Sequence, residues 1–269
     1  MGGLAGDATT TGFENIAIGY DSLGTNILGS HSVAVGPSAL RTQNYGSATN
    51  AYNTAVGSFA GYAVTTGIQN TLIGGLAGDA ITTGTLNTIL GSSAGSGITT
   101  GAGNTLLGYA AGGVETTGSN NVIVGQAGQA QLTVSDTVAV GDGALQTNTK
   151  SSKNTAIGRS ALRTLNHTSA TDAYNTALGY NSGYAVTTGT ENTLIGGLAG
   201  DALTDADGNV ALGAYALSSD TLGSDSVAIG NNALLTQNFT SATDAYNVAV
   251  GKNAGLFVTT GIQNTLIGG

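Results

Sequence analysis

The chain has 269 residues, of which 45 are glycine and one is proline, with no cysteine or tryptophan, 8% charged side chains and a net charge of −9. Six scattered Lys and Arg exclude nucleic acid and anionic membranes as partners, because counterion release needs grouped cations. Without cysteine there are no disulfides or thiolate metal sites, and an evenly spaced 40% of apolar residues is too much for a disordered linker.

The N-terminal "GGLAGDATTT" lacks the basic and then apolar pattern of a signal peptide, and no apolar run approaches a membrane span. The first predicted element is the apolar triplet 16–18, closed by Gly19. Equivalent triplets end at Gly36, Gly57, Gly74, Gly91, Gly108 and Gly125, then at Gly141, Gly158, Gly179, Gly196, Gly213, Gly230, Gly251 and Gly268. The step is 17 residues, apart from one of 16 and three of 21, and such a fixed period marks a stacked repeat.

In all fifteen copies Ile, Val or Leu precedes the glycine, and a β-branched residue stands two places earlier. These side chains favour strands and share one strand face, while the residue between them, such as Ala17, Leu72 or Ile89, takes the other. The expected arrangement buries the flanking pair within the chain's own coil and leaves the middle residue to a second chain, on the axis of a threefold bundle. The glycine turns the backbone where a Cβ would clash, and "TTG", as at Thr65–Gly67, makes a second turn. The spacing therefore predicts an all-β parallel β-solenoid of about 15 coils, with two short strand-like arms per coil.

Four places before each marker glycine stands Asn in twelve copies, and Ser32, Thr137 or Ser226 in the others. Stacked Asn side chains form hydrogen-bonded ladders, but Asn also suits a turn; both readings put it at a corner.

The three 21-residue steps carry "RTQNYGSATNAYN" at 41–53, "RTLNHTSATDAYN" at 163–175 and "LTQNFTSATDAYN" at 235–247. Each lengthened corner is expected to project Tyr45, His167 or Phe239. With Asn50, Asp172 and Asp244, these are the candidate surface-binding residues, since an aromatic face covers a pyranose ring while amides and carboxylates take its hydroxyls. The alternative is a plain corner whose Tyr52, Tyr174 and Tyr246 pack back on the solenoid.

No nucleophile, base and orienting group recur together near Glu14, Glu115 or Glu191, so no enzymatic activity, catalytic residue or cofactor is expected. His31 and His167 occupy unrelated positions and are expected to be exposed bystanders, not a metal pair. "DADGN" at Asp205–Asn209 replaces one "TTG" and superficially resembles a calcium loop, but it occurs once and lacks a distant Glu. No metal site is assigned.

"HSVAVGPSAL" (His31–Leu40) and "DSVAIGNNAL" (Asp225–Leu234) resemble repeats in the heads of trimeric autotransporter adhesins, which are left-handed parallel β-rolls packed in threes. The "TTGxxNTxIGxxAG" phrase, clearest across Val64–Gly112, is similar to repeats in bacteriophage tail fibres. The phage resemblance implies a non-enzymatic, homotrimeric shaft on the virion. Its partners would be itself, an adjoining fibre or baseplate protein, and a host cell-surface glycan. The adhesin resemblance implies instead a bacterial cell-surface head that binds glycan or matrix through the long corners. "NTLIGGLAGD" stands at Asn70–Asp79 and Asn192–Asp201, and both chain ends fall inside that phrase. The expectation is one fibre segment over 1–269, cut from a longer chain.

Overall fold

The computed structural model describes residues 2–114, 116–128 and 133–269 and is all-β, a parallel β-solenoid with one coil per repeat. It divides into two compact units, Met1–Ser135 and Asp136–Gly269. In the first, seven three-residue strands run from Ile16–Ile18 to Val122–Val124. In the second, eight run from Val138–Val140 to Thr265–Ile267. Within each unit every strand pairs in parallel with the equivalent strand one coil on, in unshifted register: Leu72 lies against Ile89, and Ile89 against Leu106.

The strand faces are the reverse of the expected ones. The middle residue of each triplet points into the coil and is buried, as at Ala34, Leu72, Ile89 and Leu194, with only the terminal Ala17 and Leu266 half-buried. The flanking residues point outward: Ile18, Leu90, Leu107 and Leu178 are all exposed. A second arm is also rarer than expected. Among the described residues, two-residue strands form only beside the long corners, pairing Gly29–Ser30 with Thr49–Asn50, Ser151–Ser152 with Thr171–Asp172, and Gly223–Ser224 with Thr243–Asp244.

The interior is filled by exchange between two columns. Four residues after the marker glycine, at every such position among the described residues, the backbone is left-handed and the residue is either Gly or a buried Leu. Where it is Leu, as at Leu23, Leu40, Leu145, Leu162, Leu217 and Leu234, the strand carries Ala. Where the strand carries Leu or Ile, as at Leu72, Ile89, Leu106 and Leu194, the described turn carries Gly: a Cβ on Gly78 would sit 2.9 Å from Leu72 Cδ2 and 2.8 Å from Ile81 Cδ1. Close-packed interiors tolerate little extra volume, so across these two positions each layer holds no more than one large side chain. The coils that end the 21-residue steps have Ala on the strand and Gly in the turn, and take methyls from both neighbours: Gly61 faces Leu40 on one side and Leu72 on the other. Each long corner therefore lies where the large side chain passes from the turn to the strand, whereas the return from Leu194 to Leu217 takes place across an ordinary 17-residue step.

The Asn column is a ladder inside the corner. Asn70 donates its backbone N–H (2.9 Å) and Nδ2 (3.2 Å) to Asn53 Oδ1, and its Nδ2 also reaches Gly84 O at 2.9 Å; Asn87 and Asn104 repeat the pattern. At Ser32 and Ser226 the amide is missing and a glutamine from the same coil replaces it. Gln43 Nε2 reaches Ser32 Oγ at 3.0 Å while its Oε1 accepts from Asn53 at 2.9 Å, and Gln237 bridges Ser226 and Asn247 likewise. In the second long coil Asn154 stands on the ladder, and Leu165 replaces the glutamine.

The marker glycines have φ between 121° and 146°, apart from Gly125 at 91°. A Cβ on Gly196 would lie 2.6 Å from both C and O of Gly213, the marker one coil on. Gly196→Ala is therefore expected to cost about 3 kcal/mol, combining overpacking with left-handed strain. Gly46→Ala, at a corner with nothing within 4 Å of the new Cβ, should change stability by less than about 0.5 kcal/mol; denaturant unfolding of the two variants checks the contrast.

Candidate functional site

The lengthened corners place their aromatic residues opposite to expectation. Tyr45 and Phe239 are 6% exposed and His167 is half-buried, so the tip residue is a plug folded inward. Tyr45 donates its hydroxyl to Gly67 O at 2.8 Å and accepts from Asn53 Nδ2 at 3.2 Å. Burial pushes the Tyr45 phenol well above its usual range. His167 Nδ1 lies 2.5 Å from Ser151 Oγ and its Nε2 lies 2.8 Å from Thr188 O. The residue beneath each plug matches it: Gly29 under Tyr45 and Gly223 under Phe239, where a Cβ would meet the ring at 2.9 and 2.7 Å, and Ser151 under the smaller His167.

The outward aromatics are Tyr52, Tyr174 and Tyr246, each 53% exposed. Two residues before each stands an exposed Asn50, Asp172 or Asp244. Each tyrosine has a left-handed backbone, with φ of 50°, 53° and 49°. Tyr52 stacks on His31 at 5.0 Å with 13° between the rings, and His31 meets Phe13 edge-on at 5.1 Å and Glu14 Oε2 at 2.9 Å. Tyr174 accepts from Lys153 Nζ at 3.1 Å; that ammonium lies 5.2 Å from the ring centroid and 2.7 Å from Asp172 Oδ2. Neither histidine is an exposed bystander: one is part of an outer aromatic stack and the other is a plug.

Among the described residues no group of three or more His, Asp or Glu is placed to hold a metal ion, and no helix is long and apolar enough to cross a membrane. The carboxylates of "DADGN" face the preceding coil. Asp205 accepts from the Thr188 hydroxyl, and Asp207 accepts from Thr190 N at 2.6 Å and Thr190 Oγ1 at 2.9 Å. Glu191 is exposed, and Glu115 lies outside the described residues.

One further column repeats in both units. Arg41 and Arg163 lie 5.7 and 5.8 Å from the ring centroids of Tyr62 and Tyr184 one coil on, and donate to their hydroxyls at 2.7 and 3.3 Å. The next coil places Asp79 and Asp201 in that column, each with a buried Oδ1 lacking a hydrogen-bond partner. Burial raises both carboxyl pKa values above the ordinary range, partly opposed by a backbone hydrogen bond.

The fold and these surfaces define the class: a parallel β-solenoid whose chemistry lies on its outer faces. No protein-family model and no curated protein matches the chain.

A raised carboxyl pKa means that the folded state binds the proton more tightly than the unfolded state, so stability is gained as pH falls through the folded-state value and lost as it rises. Replacing both Asp79 and Asp201 by Asn should raise the thermal midpoint at pH 7, with the gain narrowing as pH falls into the carboxylate range. Melting curves of the double variant and the parent across pH 3 to 7 check this.

Proposed function

We propose that this chain is part of a structural fibre, the shaft of a phage tail fibre. It assembles as a parallel homotrimer, carries no enzymatic activity and extends toward the host cell surface. The observation that carries this reading is the outer strand face. On every coil it presents Ile, Val or Leu beside a β-branched residue, with no charged side chain in either column. The Ile, Val and Leu column is an apolar stripe flanked by threonine on about half of the coils, and exposed apolar surface of this kind marks an interaction site. A partner covering many coils must present groups at the same ~4.8 Å rise, which a second copy does in parallel. At the rims lie exposed Tyr20, Tyr109 and Tyr180 on one side and Tyr52, Tyr174 and Tyr246 on the other, giving an apolar centre with an aromatic and polar border.

The chain's own surface, 10542 Å², is what a monomer of 26.2 kDa presents, about 10,600 Å². The case for partners thus rests on the chemistry of the outer face, not on a shortage of burial.

A second reading, a bacterial surface adhesin, is favoured by the three exposed pairs Asn50 with Tyr52, Asp172 with Tyr174 and Asp244 with Tyr246. Each sets an aromatic ring beside a hydrogen-bonding group, as glycan contacts require.

Sedimentation and light scattering should give three times the chain mass. Leu90→Lys with Leu107→Lys should reduce it to that of one chain while the β-rich circular dichroism persists. Single folded subunits of the parent at micromolar concentration would overturn the fibre reading. Saturable glycan binding abolished by Tyr174→Ala with Asp172→Ala would favour the adhesin.

A further inference from the structure

The regularity that makes the outer face a good seam also leaves it without an address. In the column next to the marker glycine, a copy displaced by one coil finds Ile, Val or Leu where Ile, Val or Leu stood before, and along Thr71, Thr88 and Thr105 the β-branched column is uniform too, so the strand face holds two chains together with little choice of axial register. Strand pairing shows the same weakness wherever the pattern is uniform.

A third outward column does not repeat. The residue five before each marker glycine has the same parity as the two apolar columns and borders them. Here the first unit carries Glu14, His31 and Tyr52 on successive coils, and the second carries Asp136, Lys153 and Tyr174. The order is the same in both: acid, base, tyrosine. Two of these sets are tied in place before any partner arrives, through the stack of His31 on Tyr52 beside Glu14 and through the bonds from Lys153 to Asp172 and Tyr174.

The backbone carries a second, independent sign. Every residue of this column has a left-handed φ, from 49° to 70°, yet only Gly103 and Gly208 are glycine. The other positions hold a side chain where glycine would relieve the strain and keep the turn, so the turn itself does not call for Glu, His, Tyr or Lys at these places.

Building on the fibre reading above, we infer that this ridge sets the axial register between copies of the chain. The aliphatic columns supply adhesion. The ridge supplies position, because a slip of one coil moves each charged or aromatic side chain onto a different neighbour while the seam is unchanged.

The absence of cysteine provides a clean test. Chains carrying Thr105→Cys are co-assembled with chains carrying Val122→Cys, one coil on, then oxidised, and the disulfides are mapped by mass spectrometry. With the ridge intact, same-position links should exceed one-coil-offset links about tenfold, the discrimination that ~1.4 kcal/mol gives. Replacing His31, Tyr52, Lys153 and Tyr174 by Ser should bring the two kinds of link to near parity without changing the oligomer mass or circular dichroism. Lys153→Arg alone should keep the preference. Offset links as frequent as same-position links in the parent, or a preference that survives the four substitutions, would overturn the inference and leave the fibre reading standing. A parent that remains single subunits would overturn both, and the mass measurement separates the two failures.

Discussion

The close approach of each coil to its equivalent one strand spacing away is the constraint on which everything else depends. Every residue rests on its own counterpart, so each column must hold side chains that tolerate a near-identical neighbour at ~4.8 Å. At the marker column that neighbour is backbone, and only glycine fits, as the contact between Gly196 and Gly213 shows. At the corner it is an amide on an amide. Asn solves that case because it donates and accepts at once, so each Oδ1 serves the next coil while each Nδ2 satisfies a carbonyl. Buried polar groups are costly when unpaired, and the ladder leaves none open along its length.

Where one column changes, another compensates. Leu stands on the strand or in the turn and never in both, and where it stands in neither the adjoining coils fill the space, as Leu40 and Leu72 do around Gly61. An amide lost at Ser32 returns as Gln43, and a plug enlarged from His167 to Tyr45 or Phe239 is matched by Ser151 giving way to Gly29 or Gly223. The long corners, which look like ornaments in the sequence, are the joints at which the large side chain passes from turn to strand. The plug and its polar neighbours seal the interior there.

Much of this was legible before any coordinates. The period, the strands and the parallel stacking follow from column identities alone, as does the place of the Asn column at a corner, whereas its ladder of hydrogen bonds needed the coordinates. Which way each strand faced did not, because Thr, Val and Ile look apolar enough to be inside and Ala looks small enough to be anywhere. The deciding signal was present but lay between columns: Ala on the strand accompanies Leu in the turn at residues 17 and 23, 34 and 40, 139 and 145, and only residues sharing one interior need to trade volume. The long corners misled for a related reason. A ring at a loop tip suggests projection, yet Gly29, Ser151 and Gly223 vary in step with Tyr45, His167 and Phe239, which is the mark of contact. The left-handed column was invisible because thirteen of its residues are not glycine, the usual flag for that geometry.

That column separates the backbone's requirements from the identity of its side chains. The turn is held by hydrogen bonds such as Gln69 N–H to Ala51 O at 2.7 Å and by the amide that follows, so glutamate, histidine, leucine and lysine all occupy it without disturbing the interior. It is in effect a row of evenly spaced pegs on which chemistry can be rewritten one peg at a time. Diversification of such a chain is cheapest there, and an engineer seeking to mount binding groups at ~4.8 Å intervals would begin at the same row.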